Sequence, residues 1–176
     1  AFAMAYEKNP RLYLKIAGTG EDEEELRSLA VALSVADRVE FVGWINDIQG
    51  FFSQVDINVL ASLSETFPYS LLEGAYEHCP AIASRVGGEK GYLFEAGDVD
   101  TFADYIYRLS VDEDLRRTLA ENLFQRAKAE FSLKRMKENQ EEVYQTIIRR
   151  KGRTGRQGAV ICGAYGKGNA GDEAIL

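Results

Sequence analysis

The sequence predicts an α/β fold, a Rossmann-like parallel sheet with helices on both faces and a helical C-terminal tail. Three observations carry this. Short apolar runs at 12–17, 39–42, 57–60, 81–83 and 91–94 alternate with helical patterns. Glycine-rich or polar turns close these runs. The 176 residues, 45% hydrophobic and 28% charged, suit one packed domain rather than two or a disordered chain. Strands that alternate with helices need crossovers, and crossovers give parallel pairing.

Residues 2–8 put apolar side chains on one helical face with no capping residue ahead of Ala1. They read as a helix entered partway, so the protein is expected to begin upstream. The run 12–17 is a buried strand closed by Gly18, Thr19 and Gly20. Asp22, Glu23, Glu24 and Glu25 follow, acids that suit the positive end of a helix continuing through Leu26, Leu29, Ala30 and Leu33. The unit then repeats. The strand 39–42 ends at Gly43-Trp44, and Asn46-Asp47 starts a helix through Ile48, Phe51 and Phe52. The strand 57–60 leads through a loop at 61–67 into a helix starting near Pro68. A fourth strand at 81–83 ends at 84–88, and a fifth covers 91–94. Helices at 98–109, 112–131 and 132–150 complete the domain.

The C-terminal end departs from this plan. Gly152, Gly155 and Gly158 mark a linker over 151–158. Residues 159–163 begin a new strand, and a glycine-rich loop then enters a helix up to Leu176. One strand and one helical turn cannot bury a core, so 159–176 reads as the truncated start of a second domain after a first at 1–150.

The formal net charge of −7 hides a division. Residues 1–146 carry 15 Lys and Arg against 26 Asp and Glu, whereas Arg149, Arg150, Lys151, Arg153 and Arg156 form a basic run. The acidic body argues against nucleic-acid binding. The basic run reads as a solvated connector, with contact to an anionic membrane surface as the alternative. No apolar stretch approaches the roughly 20 residues that span a bilayer, and the first ten residues lack a signal peptide's basic and apolar regions. A cytoplasmic location follows as the expectation. Cys79 and Cys162 lie in different segments and read as free thiols, and no acidic cluster resembles a metal site.

In an open parallel sheet, ligands bind beyond the carboxyl ends of the strands. The sequence places Gly18, Gly43, Trp44, residues 62–67, Gly87 and Gly88 there. Glycines allow close approach of a ligand to the backbone, and helix starts offer N–H groups to an anion. A phosphorylated ligand fits. The sharpest feature is the stretch 64–74, SETFPYSLLEG. Pro68 suits a first helical turn, so Glu65 falls in the loop, and the N–H groups of Tyr69, Ser70 and Leu71 are expected to be free. Glu73 is expected on the helix, away from a core face of Leu71, Leu72 and Ala75. Carboxylates on either side of a phosphate cradle hydrogen-bond sugar hydroxyls well.

The spacing of Glu65 and Glu73 within ETFPYSLLEG, followed by PAIASRVGG, resembles the donor-site signature of retaining family 4 glycosyltransferases of the GT-B fold. LYLKIAGTGEDEEEL, DRVEFVGWI and DINVLASLSETFPYSLLEG follow in the family's order, so the likeness covers about residues 2–150. It implies a half-enzyme that binds a UDP- or GDP-linked sugar and transfers it to an acceptor hydroxyl with retention, without cofactor or metal. It also implies an acceptor-binding domain upstream, an acceptor that is lipid-linked or reached from the inner membrane face, and a role in cell-wall or capsular polysaccharide synthesis. By this likeness Glu73 binds the ribose and Glu65, the catalytic-site carboxylate, holds the transferred sugar. Phe67, Pro68, Tyr69, Ser70 and Leu71 face the sugar and diphosphate, and Gly43 and Trp44 lie beside the base. Many relatives have glycine where Pro68 stands. The family's Arg and Lys ligands to the diphosphate belong to a strand that precedes Ala1. Relatives also place more residues between the glycine pair and the next strand than this sequence does after Gly88, so either this loop is truly short or residues are omitted there.

The tail GAVICGAYGKGNAGDEAIL resembles the start of polysaccharide pyruvyl transferases at Gly163, Tyr165, Gly166, Asn169, Gly171 and Asp172, implying a fusion. Two alternatives stand beside the main reading: a nucleotide-sugar epimerase of the same fold and a noncatalytic nucleotide-sugar-binding module. His78, the single histidine, sits at a helix end where a capping or dipole role is expected, which argues against a histidine-centred hydrolase. Tyr105, Tyr107 and Tyr144 are expected to pack. No carboxylate pair is placed like a glycosidase's.

Overall fold

A computed structural model describes residues 1–65, 67–85 and 92–151, the side chains of Arg150 and Lys151 excepted. The elements run α1 (Phe2–Lys8), β1 (Leu14–Ala17), α2 (Glu23–Ala32), β2 (Val39–Gly43), α3 (Ile48–Phe52), β3 (Asn58–Leu60), α4 (Tyr69–Tyr76), β4 (Ala81–Ser84), β5 (Tyr92–Phe94), α5 (Val99–Val111), α6 (Glu113–Glu130) and α7 (Leu133–Lys151). The chain divides into two compact units, Ala1–Ser132 and Leu133–Leu176. The described part of the second is α7, whose surface carries i,i+4 pairs between Lys134 and Glu138 and between Lys137 and Glu141. The predicted linker beyond Lys151 and the tail at 159–176 lie outside the described residues.

Among the described residues every strand pairing is parallel, as the alternation predicts. The pairings form two sheets, β1–β2 and β3–β4–β5, and among the described residues no ladder joins them. In the doubly wound order 3-2-1-4-5-6, a two-strand half and a three-strand half flank the first strand. The two sheets have the pairing of those halves. β4 and β5 are adjacent parallel strands, yet residues 85–91 are fewer than the dozen or so that a crossover takes. Most of that connection lies outside the described residues.

The core of the first unit gathers around β4, β5 and α5. Ala5, Ile82, Phe94, Ile106 and Leu109 form its buried cluster, with Leu12, Ile57, Tyr105 and Leu115 packed against it. Complete burial of Ile82 and Leu109 stabilises the fold by about 1.5–3 kcal/mol each. Phe94 stacks on Phe102 with ring centres 4.2 Å apart, and Tyr92 meets Tyr105 edge-on at 4.8 Å. Tyr105 therefore packs as expected, and Tyr107 takes the Lys8 ammonium over its ring. Buried Asn9 ends α1 by donating through Nδ2 to Ser110 Oγ at 2.9 Å, which ties α1 to the end of α5.

Helix starts follow the sequence closely. Asp47, Asp98 and Asp112 cap α3, α5 and α6 by accepting from the N–H groups of Gly50, Thr101 and Leu115. Glu23, Glu24 and Glu25 occupy the first turn of α2. The end of α4 is capped at His78, as expected: the N–H groups of His78 and Cys79 return to the carbonyls of Ala75 and Gly74 at 3.1 and 2.8 Å. His78 adopts a left-handed φ of 53° just past the helix, stacks on Phe124 at 4.0 Å, and sets Nδ1 3.5 Å from Glu121. Its work is termination and packing. Cys79 beside it is a free buried thiol, as predicted.

Candidate functional site

At the carboxyl ends of β1 and β2, the ladder shifts register between Ile16 and Ala17, so Ala17 stands opposite Gly43. Gly18 then donates its N–H to the Gly43 carbonyl at 2.7 Å. Both glycines take positive φ, 106° at Gly18 and 67° at Gly43, a conformation that costs other residues 1–2 kcal/mol or so. A Cβ on either would meet no atom within 4 Å, so these turns border open space. Trp44 follows directly, 74% exposed, with its indole N–H bonded to Asn46 Oδ1 at 3.1 Å. Exposed tryptophan beside two open glycine turns offers a flat apolar surface at a strand end.

At the carboxyl ends of β3 and β4, the loop after Leu60 carries Ser62 and Glu65. Glu65 is half-buried, and its Oε1 accepts from Ser62 Oγ at 2.6 Å. Ser84, completely buried at the end of β4, donates its hydroxyl to the Ser62 carbonyl at 2.5 Å. Phe67 packs edge-on against Tyr69 at 5.3 Å and Phe131 at 5.5 Å, so the loop also leans on the end of α6.

The start of α4 corrects two expectations. Pro68 is the residue before the first helical turn rather than within it, with φ −80° and ψ 95°. The Leu71 N–H is not free, because it donates to the Pro68 carbonyl at 3.1 Å. A proline in extended conformation brings its own carbonyl round to close the first turn. Tyr69 and Ser70 open the helix, and the N–H groups of such residues have no intrahelical acceptor. The helix is held to β3 by Asn58, 9% exposed, whose Nδ2 donates to the Ser70 carbonyl at 2.8 Å. The core side of α4 is Gly74 and Ala75, with Leu71 and Leu72 half-buried beside them. Glu73 is half-buried, and among the described residues its carboxylate has no hydrogen-bond or ion-pair partner.

Glu65, Pro68, Tyr69, Ser70 and Leu71 thus lie in the loop after β3 and the helix start that follows it, with Glu73 in the middle of α4, and Gly18, Gly43 and Trp44 lie at the carboxyl ends of β1 and β2. Gly87 and Gly88 lie outside the described residues, as does Thr66. Sequence reasoning took Ser62 and Ser84 only as turn residues and missed Asn58 and Phe131. The signal for Asn58 was a lone amide in the apolar run Ile57–Asn58–Val59–Leu60. A cavity of about 400 Å³, lined by Asp56, His78, Glu113, Arg116, Arg117 and Glu121, opens at the amino ends of β3 and β4. Its guanidinium groups already serve the Leu109 carbonyl and Glu113, and none of the predicted site residues lines it. Among the described residues no cluster of His, Cys, Asp and Glu suits a metal ion, and no helix is long and apolar enough to cross a membrane.

Parallel strands closed by open turns at their carboxyl ends define an α/β domain of the Rossmann-like type. Solved structures agree. Sucrose-phosphate synthase from Thermosynechococcus elongatus matches at 25% identity and TM-score 0.72, over 84% of this chain and 41% of its own. Anabaena HepE, solved with UDP, matches at 21% identity and TM-score 0.74, over 82% of this chain and 44% of its own. The family model for glycosyl transferases group 1 matches residues 1–112, and the chain belongs to that family. It is similar to the lipopolysaccharide core biosynthesis glycosyltransferase LpsE of Rhizobium meliloti, 33% identical over 70% of this chain and 38% of the relative. It is also similar to the putative glycosyltransferase EpsD of Bacillus subtilis, 32% identical over 84% of this chain and 41% of the relative. The chain therefore spans about two fifths of these relatives' length.

Proposed function

We propose that this chain is the donor-binding half of a retaining glycosyltransferase, which transfers a sugar from a UDP- or GDP-linked donor to an acceptor hydroxyl. The observation that supports the reading is Glu65 in the loop before α4 and Glu73, half-buried, within that helix. Glu73, without a protein partner among the described residues, takes the ribose hydroxyls. Glu65 takes hydroxyls of the transferred sugar. The N–H groups of Tyr69 and Ser70 meet the diphosphate, where the positive end of the helix favours negative charge. Gly43 and Trp44 flank the base, and Gly18, Gly87 and Gly88 admit the ligand to the backbone. Transfer then rests on positioning and on charge stabilisation of the departing diphosphate, without metal or cofactor.

Complexes of HepE with UDP and with UDP-glucose support a nucleotide-sugar ligand. Relatives named for lipopolysaccharide core and capsular polysaccharide biosynthesis support a polysaccharide product. In this reading the acceptor binds an upstream half, the enzyme works in the cytoplasm with an acceptor held at the inner membrane face, and residues 159–176 open a pyruvyl transferase-like domain. The test is titration calorimetry of the whole protein with nucleotide sugars. Glu73→Ala should weaken donor binding about 10- to 100-fold, the worth of hydrogen bonds to a charged group. Unchanged affinity overturns the site. Product stereochemistry read by NMR tests retention, and an inverted anomer overturns it.

A further inference from the structure

We infer that Ser62 and Ser84 are positioning residues for Glu65, acting as a two-hydroxyl relay that aims one carboxylate oxygen at the transferred sugar. The inference rests on the donor-site reading above and adds the residues that make it geometrically specific. Ser84 ends β4 and is completely buried, so its hydroxyl needs a partner inside the protein. It finds one across 22 residues of sequence, the Ser62 carbonyl at 2.5 Å. That bond fixes the backbone of the loop after β3 to a rigid strand end. Ser62 then donates its own hydroxyl to Glu65 Oε1 at 2.6 Å, a length typical of an O–H group bonded to a carboxylate.

The relay has a chemical consequence. A carboxylate in a loop has several rotamers, and a sugar hydroxyl rewards only the one that faces it. With Oε1 engaged by Ser62, Oε2 is the oxygen left for a ligand, and the plane of the carboxylate is set before the ligand arrives. Preorganisation of this kind strengthens binding by removing the cost of ordering the group on association. Neither serine needs to touch the ligand. Their effect should therefore follow the sugar and not the nucleotide.

The test compares binding of a free nucleotide with binding of its sugar conjugate by the whole protein, using UDP with UDP-glucose or UDP-N-acetylglucosamine, and GDP with GDP-mannose. Ser62→Ala and Ser84→Ala should each weaken the sugar conjugate about 5- to 10-fold while leaving the free nucleotide unchanged. Ser62→Thr, which keeps the hydroxyl, should restore the affinity. In a Glu65→Ala background neither serine substitution should cost anything further, because the carboxylate they aim is gone. Equal weakening of nucleotide and conjugate, or full additivity with Glu65→Ala, overturns the relay and assigns the serines a general role in loop folding. If Ser84→Ala fails to fold, Ser62→Ala and its threonine rescue decide the matter alone. A Glu65→Ala protein that binds the conjugates normally overturns the donor-site reading itself, a result distinguishable from failure of the relay.

Discussion

A Cβ placed on Gly74 would lie 2.7 Å from Asn58 Nδ2 and 3.1 Å from the ring of Phe52, so α4 approaches β3 and α3 as closely as a glycine permits. The same Asn58 amide holds the Ser70 carbonyl, and the helix start that presents the candidate site is set by this contact. Gly74→Ala should push the amide off Ser70 and destabilise the fold by about 1–3 kcal/mol, the usual cost of overpacking. Urea unfolding measures it. In an Asn58→Ala background the same change should cost less, since the obstructing amide is absent.

Cys79 should be inert in the folded protein. Burial pushes its thiol up to about 12, with the Asn58 backbone pulling slightly the other way. A thiol-reactive disulfide reagent at pH 8, applied to a Cys162→Ser protein, should label nothing until denaturant is added. The same shift makes stability depend on alkali. The folded thiol holds its proton more tightly than the unfolded one, so this contribution is complete below 9.0 and is lost as pH rises from there to about 12.

Asp98 should show the opposite dependence on pH. The side chain and backbone N–H of Thr101 hold its carboxyl below the ordinary value of 3.8 as it caps α5. A lowered folded pKa stabilises above the ordinary value and is lost as pH falls through the folded one. Asp98→Ala should therefore lower the melting temperature at pH 7, and the gap to the parent protein should close under acid. Melting curves from pH 7 to pH 2 test this, and a gap independent of pH would remove the cap from the account.

Features confined to a few neighbouring residues were legible in the chain. Asp47, Asp98 and Asp112 cap helices because a carboxylate bonds an N–H three residues on, a relation contained within one turn. Tertiary relations were harder to read. His78 caps α4 with its backbone as expected, but that its ring packs on Phe124 of α6, 46 positions along the chain, was not legible. The first turn of α4 was expected to leave Leu71 unbonded, and the extended backbone of Pro68 decided otherwise.

The sequence by itself determined the alternation of strands and helices, the parallel sense of the pairing and the positions of Glu65 before one helix and Glu73 within it. These follow from local pattern and from the need of parallel strands for crossovers. Only the tertiary structure decided that the strands form two sheets, that Asn58 and Gly74 lock α4 in place, and that Ser84 reaches Ser62 and through it Glu65. The physical reason is that strands of three or four residues are too short to reveal which polar side chain turns inward. A buried hydroxyl must find its acceptor wherever strand pairing brings one within reach.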